Sequence, residues 1–237
     1  MFAPRARVGL DIAAPSALAD FTVVELKAEG RSARLERSGQ QVARWVPTSA
    51  LHRNIGALIV RIGAYSTEQT LLDPLAKSLL QYFRLLVTDD FVRLVSLRTE
   101  EELRRLWSEN HAAYSHVIFV GHGRSDAIAV GNDWMTAGQL SEVLEEPNPE
   151  AKVVLSACCE TGRRDFSAAI SGSRACAAFI APFGTVHGAV ASQSFQTFFA
   201  VHFLDGRTTT VAFNQAAQSV PGAASFRLWR GGRLARS

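Results

Sequence analysis

The sequence predicts an α/β fold: an α/β/α sandwich around a mostly parallel central sheet, preceded by a small N-terminal β extension. Three observations carry this. From Ile55 onward, short apolar runs of strand character alternate with longer segments of helical period, the pattern of successive strand–helix units. Runs such as Val117–Val120 (VIFV) are apolar throughout, which suits strands covered on both faces. Before Ile55 the pattern differs. Residues 21–46 hold two or three short strands, with Ala33, Leu35 and Arg37 in alternation, turns at Gly30 and Ser38-Gly39, and Pro47 as the close. The expected division is a β-rich extension over residues 1–53 and a larger unit over 54–237.

The elements follow in order. ALIVRIGAY (57–65) is a first strand. The segment 66–86 is a helix, with Ser66 and Gln69 spaced as a capping box and Pro74 as a kink or the true start. FVRLVSLR (91–98) is a second strand, and Thr99 with Glu102 caps the next helix, EEELRRLWSEN (100–110). SHVIFVGHG (115–123) is a third strand ending in glycines, and AIAVGNDWM (127–135) is a hairpin around Gly131-Asn132. Thr136 and Gln139 cap a helix that stops at Pro147. AKVVLSAC (151–158) and RACAAFIAP (174–182) are the fourth and fifth strands. Helices over 189–204 and 209–219 and a last strand, SFRLW (225–229), complete the order.

Bulk composition excludes several classes. The chain has 237 residues, 47% hydrophobic and 20% charged, ordinary globular usage. A formal net charge of +3, from 25 Lys+Arg and 22 Asp+Glu, is too mild to argue for nucleic acid. The cluster Arg227, Arg230, Arg233 and Arg236 is expected to be a solvated, frayed end. Residues 175–204 lack Asp, Glu, Lys and Arg, but Pro182, Gly184 and Gly188 among others interrupt them. Neither apolar part reaches the ~20 residues of a spanning helix, so a buried strand followed by a buried helix is expected and no membrane partner. The first twenty residues have no sustained apolar core of a leader. Three cysteines, two of them adjacent, make no disulfide framework and point to a reducing, cytoplasmic setting. No Cys-x-x-Cys or His-x-x-x-His spacing supports a metal, and no glycine-rich phosphate loop supports a nucleotide, so no cofactor is expected. GHGRS resembles the nucleophile elbow of serine hydrolases, but Gly123 stands where the serine would be.

In parallel sheets, ligands bind outside the carboxyl ends of the strands. Two strand tips there carry chemistry: GHGR after the third strand and ACCETG after the fourth. If these strands are neighbours, His122 and Cys158 emerge on one edge. A free thiol titrates near about 8.5, and a neighbouring imidazole can take its proton and later protonate a leaving amine. Gly123 allows close backbone approach and offers an N–H for an oxyanion, as does the N–H of the nucleophile itself. Taken alone, a strand-end cysteine is as well explained as a small core residue. Cys176 is expected in the core, His187 and His202 to serve packing, and His52, His111 and His116 lie in no motif.

HVIFVGHG, then a short hairpin and MTAGQLSEVL, then VVLSACCETG, in this order, resemble the caspase–hemoglobinase fold of cysteine peptidases (clan CD). Within it they resemble the CHAT branch, and the likeness spans about Ile55 to Trp229. It implies a caspase-like domain with His122 and a strand-end cysteine as a catalytic dyad and Gly123 in the oxyanion hole. The family has one residue fewer between the alanine and threonine of the second motif. Anchoring on LSAC selects Cys158 and anchoring on CETG selects Cys159. Strand register favours Cys158, because an extra residue is absorbed more easily in a loop than inside a two-residue period.

The resemblance implies limited proteolysis of protein substrates, as in bacterial effectors including anti-phage defence, under control of a regulatory partner. Asp126, Glu160 and Asp165 lie close to the motifs, and an acidic pocket built from them would favour Arg or Lys in the substrate. The alternative is an inactive domain of the same fold acting as a binding or scaffold module.

Overall fold

The computed structural model describes residues 7–10, 21–37, 40–48, 51–53, 56–63, 68–87, 91–146 and 151–236. The first part forms an antiparallel sheet of β1 (Arg7–Leu10), β2 (Phe21–Lys27), β3 (Ser32–Arg37), β4 (Gln40–Gln41), β5 (Val46–Pro47) and β6 (Leu51–Arg53). Its order is β4-β3-β2-β1-β6, with β5 also on β3. Alternation places Val23, Ala33, Leu35 and Val46 in its buried face. The β2–β3 turn uses three consecutive left-handed residues, Ala28, Glu29 and Gly30 (φ 52°, 57° and 81°). Six strands stand where two or three are expected, because β1 and β6 pair with each other on the far side of β2. Pro47 does not close the sheet: it sits in β5 opposite Ser32, on an edge where its missing N–H costs nothing. The expected turn at Ser38-Gly39 lies outside the described residues.

The remainder builds a seven-stranded sheet. Its elements are β7 (Ala57–Ile62), α1 (Asp73–Leu86), β8 (Val92–Leu97), α2 (Glu100–Asn110), β9 (His116–Val120) and the hairpin β10 (Ala127–Val130) and β11 (Asp133–Thr136). They continue with α3 (Ala137–Glu145), β12 (Lys152–Ser156), α4 (Arg164–Gly172), β13 (Cys176–Pro182), α5 (Gly188–Phe199), α6 (Thr209–Ser219), β14 (Phe226–Arg230) and β15 (Arg233–Arg236). The order is β15-β14-β13-β12-β9-β7-β8. β8, β7, β9, β12 and β13 are mutually parallel, and β14 and β15 run antiparallel.

Two apolar cores explain why the central strands are apolar on every residue. On one face Ile59, Ile118, Leu155 and Ile180 pack against Leu79 and Phe83 of α1, Phe195 and Phe199 of α5, and Phe213 of α6. On the other, Leu58, Val117, Phe119 and Phe179 meet Trp107 of α2, Leu140 of α3, and Phe166 and Ile170 of α4. Each buried aliphatic or aromatic side chain contributes about 1.5–3 kcal/mol, and these rows supply dozens. Both expected capping boxes form at the starts of α2 and α3, each with reciprocal Thr99–Glu102 and Thr136–Gln139 bonds. Pro74 marks the start of α1 and does not kink it; Ser66 of the expected capping box is not among the described residues.

Two elements depart from expectation. The helix α4 follows directly on the ACCETG tip, held by Phe166 and Ile170 one turn apart on its buried face. Its serines (Ser167 and Ser171) point inward and bond the carbonyls of Thr161 and Ser167, so they mask its helical pattern in sequence. The basic tail is not frayed: Gly231 and Gly232, both left-handed, turn β14 back into β15. The uncharged segment 175–204 is a buried strand and a helix, and no helix among the described residues is long and apolar enough to cross a membrane.

Candidate active site

β9 lies between β7 and β12, so its tip opens onto both. That tip is Gly121-His122-Gly123. A Cβ on Gly121 would fall 2.6 Å from the Ile62 carbonyl oxygen, at the end of β7. A Cβ on Gly123 would fall 2.7 Å from both Cys158 Cβ and the Cys159 carbonyl oxygen. The two glycines therefore exist because neighbouring backbones close over this tip, and they flank the half-buried His122. Gly123 forms a single bridge to Ile128, carried by Ala129 N–H to His122 O and Arg124 N–H to Ala127 O. That register leaves the Gly123 N–H and C=O outside the ladder.

After β12 the chain keeps its alternation for two further residues. Leu155 and Ala157 face the core of α1, α5 and α6, while Val154 and Cys158 face the core of α2, α3 and α4. Cys158 is therefore 0% exposed, with its sulfur packed toward Gly121. Burial above all pushes the Cys158 thiol up to about 12. A hydrogen bond with Ser156 offsets part of the rise, Cys159 adds to it, and Gly121 offsets a little more. The chain then leaves the sheet, and Cys159 is partly exposed, its Sγ 4.0 Å from the Val186 carbonyl in the loop before α5. Strand register, which favours Cys158 on sequence grounds, is the property that buries it. Cys176 lies in the core as expected, its thiol likewise raised to about 12 by burial.

The rest of the tip is built to hold this turn. Ser156 Oγ accepts the Cys158 N–H (3.1 Å) and contacts Thr161 Oγ1 at 2.8 Å. The Thr161 hydroxyl, fully buried, lies 2.8 Å from the Cys158 carbonyl. Glu160 is left-handed, φ 62°, and its N–H donates to Gly184 O. Gly162 N–H donates to Pro182 O, and a Cβ there would fall 2.5 Å from Ala181 O. Trp229 Nε1 donates to Gly162 O from β14. The Thr-Gly of the motif thus fixes a loop; neither residue offers chemistry.

The three acidic candidates do not act as one charged group. Asp126 pairs with Arg124 at 2.8 Å, and that guanidinium lies 4.5 Å over the Trp134 ring. Glu160 pairs with Arg163 at 3.7 Å, while Asp165 is exposed in the first turn of α4. His187, expected to pack, is instead exposed and caps α5, its Nδ1 accepting the Ala189 N–H. His202 packs as expected, among Phe198, Phe203 and His116. His52 has no described side chain.

No protein-family model matches the chain, and no curated protein does. Among solved structures, the chain is similar to a secreted C11 cysteine protease from Bacteroides thetaiotaomicron, solved in complex with an irreversible peptide inhibitor. The TM-score is 0.52 at 12% identity, over 74% of this chain. The match spans 66% of that protease, just under two thirds of its length. Central sheet, flanking helices and this likeness together give the chain a caspase-like α/β fold.

Proposed function

We propose that the chain is a cysteine endopeptidase whose dyad is His122 and Cys159, with residues 54–237 as the peptidase unit and 1–53 as an extension. The observation that carries this is the contrast of the two thiols. Both follow β12 at the His122 tip, and solvent reaches Cys159 alone of the pair. His122 takes the Cys159 proton, and the thiolate attacks the scissile carbonyl carbon. The oxyanion accepts hydrogen bonds from the N–H groups of Gly123 and Cys159. Collapse breaks the C–N bond as His122 protonates the leaving amine, and water, deprotonated by His122, then releases the acyl group. Cys158 fills the core beneath. The motif resemblance supports a place in regulated proteolysis, such as a cytoplasmic bacterial defence effector acting with a regulatory partner. Asp126 and Glu160 each pair with an arginine at the surface, which argues against reading Asp126, Glu160 and Asp165 as one acidic pocket for basic residues.

The test is labelling with a peptide carrying a thiol-reactive electrophile in wild type and in Cys158→Ala, Cys159→Ala and His122→Ala. Loss of labelling in Cys159→Ala with retention in Cys158→Ala is the expected result. The reverse pattern would return the role to Cys158. A wild type that neither labels nor cleaves under any condition would favour the scaffold alternative.

A further inference from the structure

Between α1 and the start of α5 lies a cavity of about 470 Å³, a size that admits a side chain with its flanking backbone. It opens where the candidate site ends. Cys159 Sγ rests against Val186 O, and the next residue, His187, is already part of the cavity wall. Leu71 and Pro74 line the α1 side. Besides Thr70, His187 and Gln193, its polar groups are Ser78 from α1 and Ser192 and Gln196, four residues apart on one face of α5.

These three side chains form a closed set with a countable remainder. Gln196 Nε2 donates one hydrogen to Ser78 Oγ (3.0 Å) and the other to Ser192 Oγ (2.8 Å). The two hydroxyls share one further bond at 2.9 Å. The set holds four polar hydrogens, two on the amide and one on each serine. Three are consumed, so one hydroxyl hydrogen and the Gln196 Oε1 have no partner among the described residues. One free donor and one free acceptor in a single bonded set match the needs of a primary carboxamide. Besides His187, whose Nδ1 already accepts an N–H, no titratable side chain among the described residues lines the cavity, so a charged side chain would find no counter-charge there.

We propose that this cavity is a specificity pocket for an uncharged carboxamide side chain, asparagine or glutamine, of the protein substrate. The proposal rests on the peptidase reading of the neighbouring site, and its test has one arm independent of turnover. In the first arm, blocked fluorogenic peptides with each amino acid at each position are cleaved by wild type, Gln196→Leu and Gln196→Glu. Asn or Gln should be preferred over Ala at one position. Loss of one or two such hydrogen bonds should lower that ratio about tenfold in Gln196→Leu. Gln196→Glu, which keeps the shape but turns a carboxylate outward, should move the preference toward Lys. In the second arm, N-acetylglutamine amide and N-acetylnorleucine amide are titrated into the Cys159→Ala protein and followed by NMR shifts of the α5 amides. The glutamine probe should shift them, the norleucine probe should not, and Gln196→Leu should abolish the difference. Cleavage without an Asn or Gln preference overturns the pocket and leaves the peptidase standing. No cleavage with selective glutamine binding keeps the pocket and overturns the peptidase. Equal binding of both probes, or of neither, overturns the pocket.

Discussion

β9 carries a histidine at each end, and the two have opposite fates. His116 opens the strand at 4% exposure, ringed by Phe199, Phe203 and His202 at centroid distances of 5.2–5.4 Å. Its Nδ1 meets Ser115 Oγ at 2.9 Å, and its Nε2 is buried with no hydrogen-bond partner among the described residues. Burial, then His202 and the buried Lys152, hold it well below the usual histidine range, so it is neutral packing material. His122, just past the other end, is half-buried between two glycines whose backbone is closed over by the turns after β7 and β12. The residue type is the same and the strand is the same. What differs is the covering: helical segment 200–204 roofs the amino edge, whereas turns held to backbone carbonyls leave the carboxyl edge open. How far a histidine is buried here follows from which edge of the sheet it meets.

The largest effect that sharpens this contrast is at the thiols. Cys159→Ala should lower peptide cleavage by roughly 10⁴-fold, the scale of losing a covalent nucleophile. Native-state titration with a thiol reagent near pH 8 should find one fast thiol of the three, because Cys158 and Cys176 are raised to about 12. Three fast thiols would break the contrast. Next in size, His122→Ala should reduce turnover by about 10²–10⁴-fold with little change in melting temperature, whereas His116→Ala should chiefly lower the melting temperature. Equal stability losses in both variants would erase the distinction between the edges.

Steric changes at the open edge come third. Gly162→Ala should destabilise by about 1–3 kcal/mol, the usual range for overpacking, since its Cβ would collide with the Ala181 and Pro182 carbonyls. Chemical denaturation measures this, and an unchanged midpoint would mean that the loop is slack. The smallest effect is a pH dependence seated at the closed edge. The folded pKa of His116 lies below that of the unfolded chain, near 6.5. The unfolded state therefore binds more protons below about pH 6.5, and stability falls as pH drops, by up to about 1.4 kcal/mol per unit for one such group. His111 and His202 are shifted in the same direction, burial being the main cause for each. Urea midpoints at pH 7.5 and 5.5 should therefore separate more in wild type than in His116→Phe. Equal separations would remove His116 from the account.

Much of the architecture was legible because its signals are local. The capping boxes Thr99–Glu102 and Thr136–Gln139 need only four residues each, and the apolar run of β9 announces its double burial. Close backbone approach at the β9 tip was legible from Gly121 and Gly123, without saying to what. Which of Cys158 and Cys159 is buried was not, because it turns on how far alternation persists beyond the last ladder bond. That bond is Ala157 N–H to Phe119 O, and only the neighbouring strand reveals it. The helix α4 was hidden for a related reason: its inward serines satisfy local carbonyls, so the apolar period thins to Phe166 and Ile170. The pocket between α1 and α5 joins residues more than a hundred positions apart, Ser78 and Ser192, and no spacing rule reaches that far.

The bond from the Trp229 indole to the Gly162 carbonyl has a consequence for the order of events in synthesis. The turn that presents Cys159 is complete only when β14 has docked, some seventy residues later in the chain (|i−j| = 67). A polypeptide still emerging from the ribosome thus carries Cys159 on a loop that lacks this support, and under the proposed dyad it should not react with a peptide electrophile until the hairpin arrives. Stalled chains ending before Phe226 should fail to label at Cys159, while chains released beyond Arg236 should label. Equal labelling of the two would show that the loop sets itself without its last support.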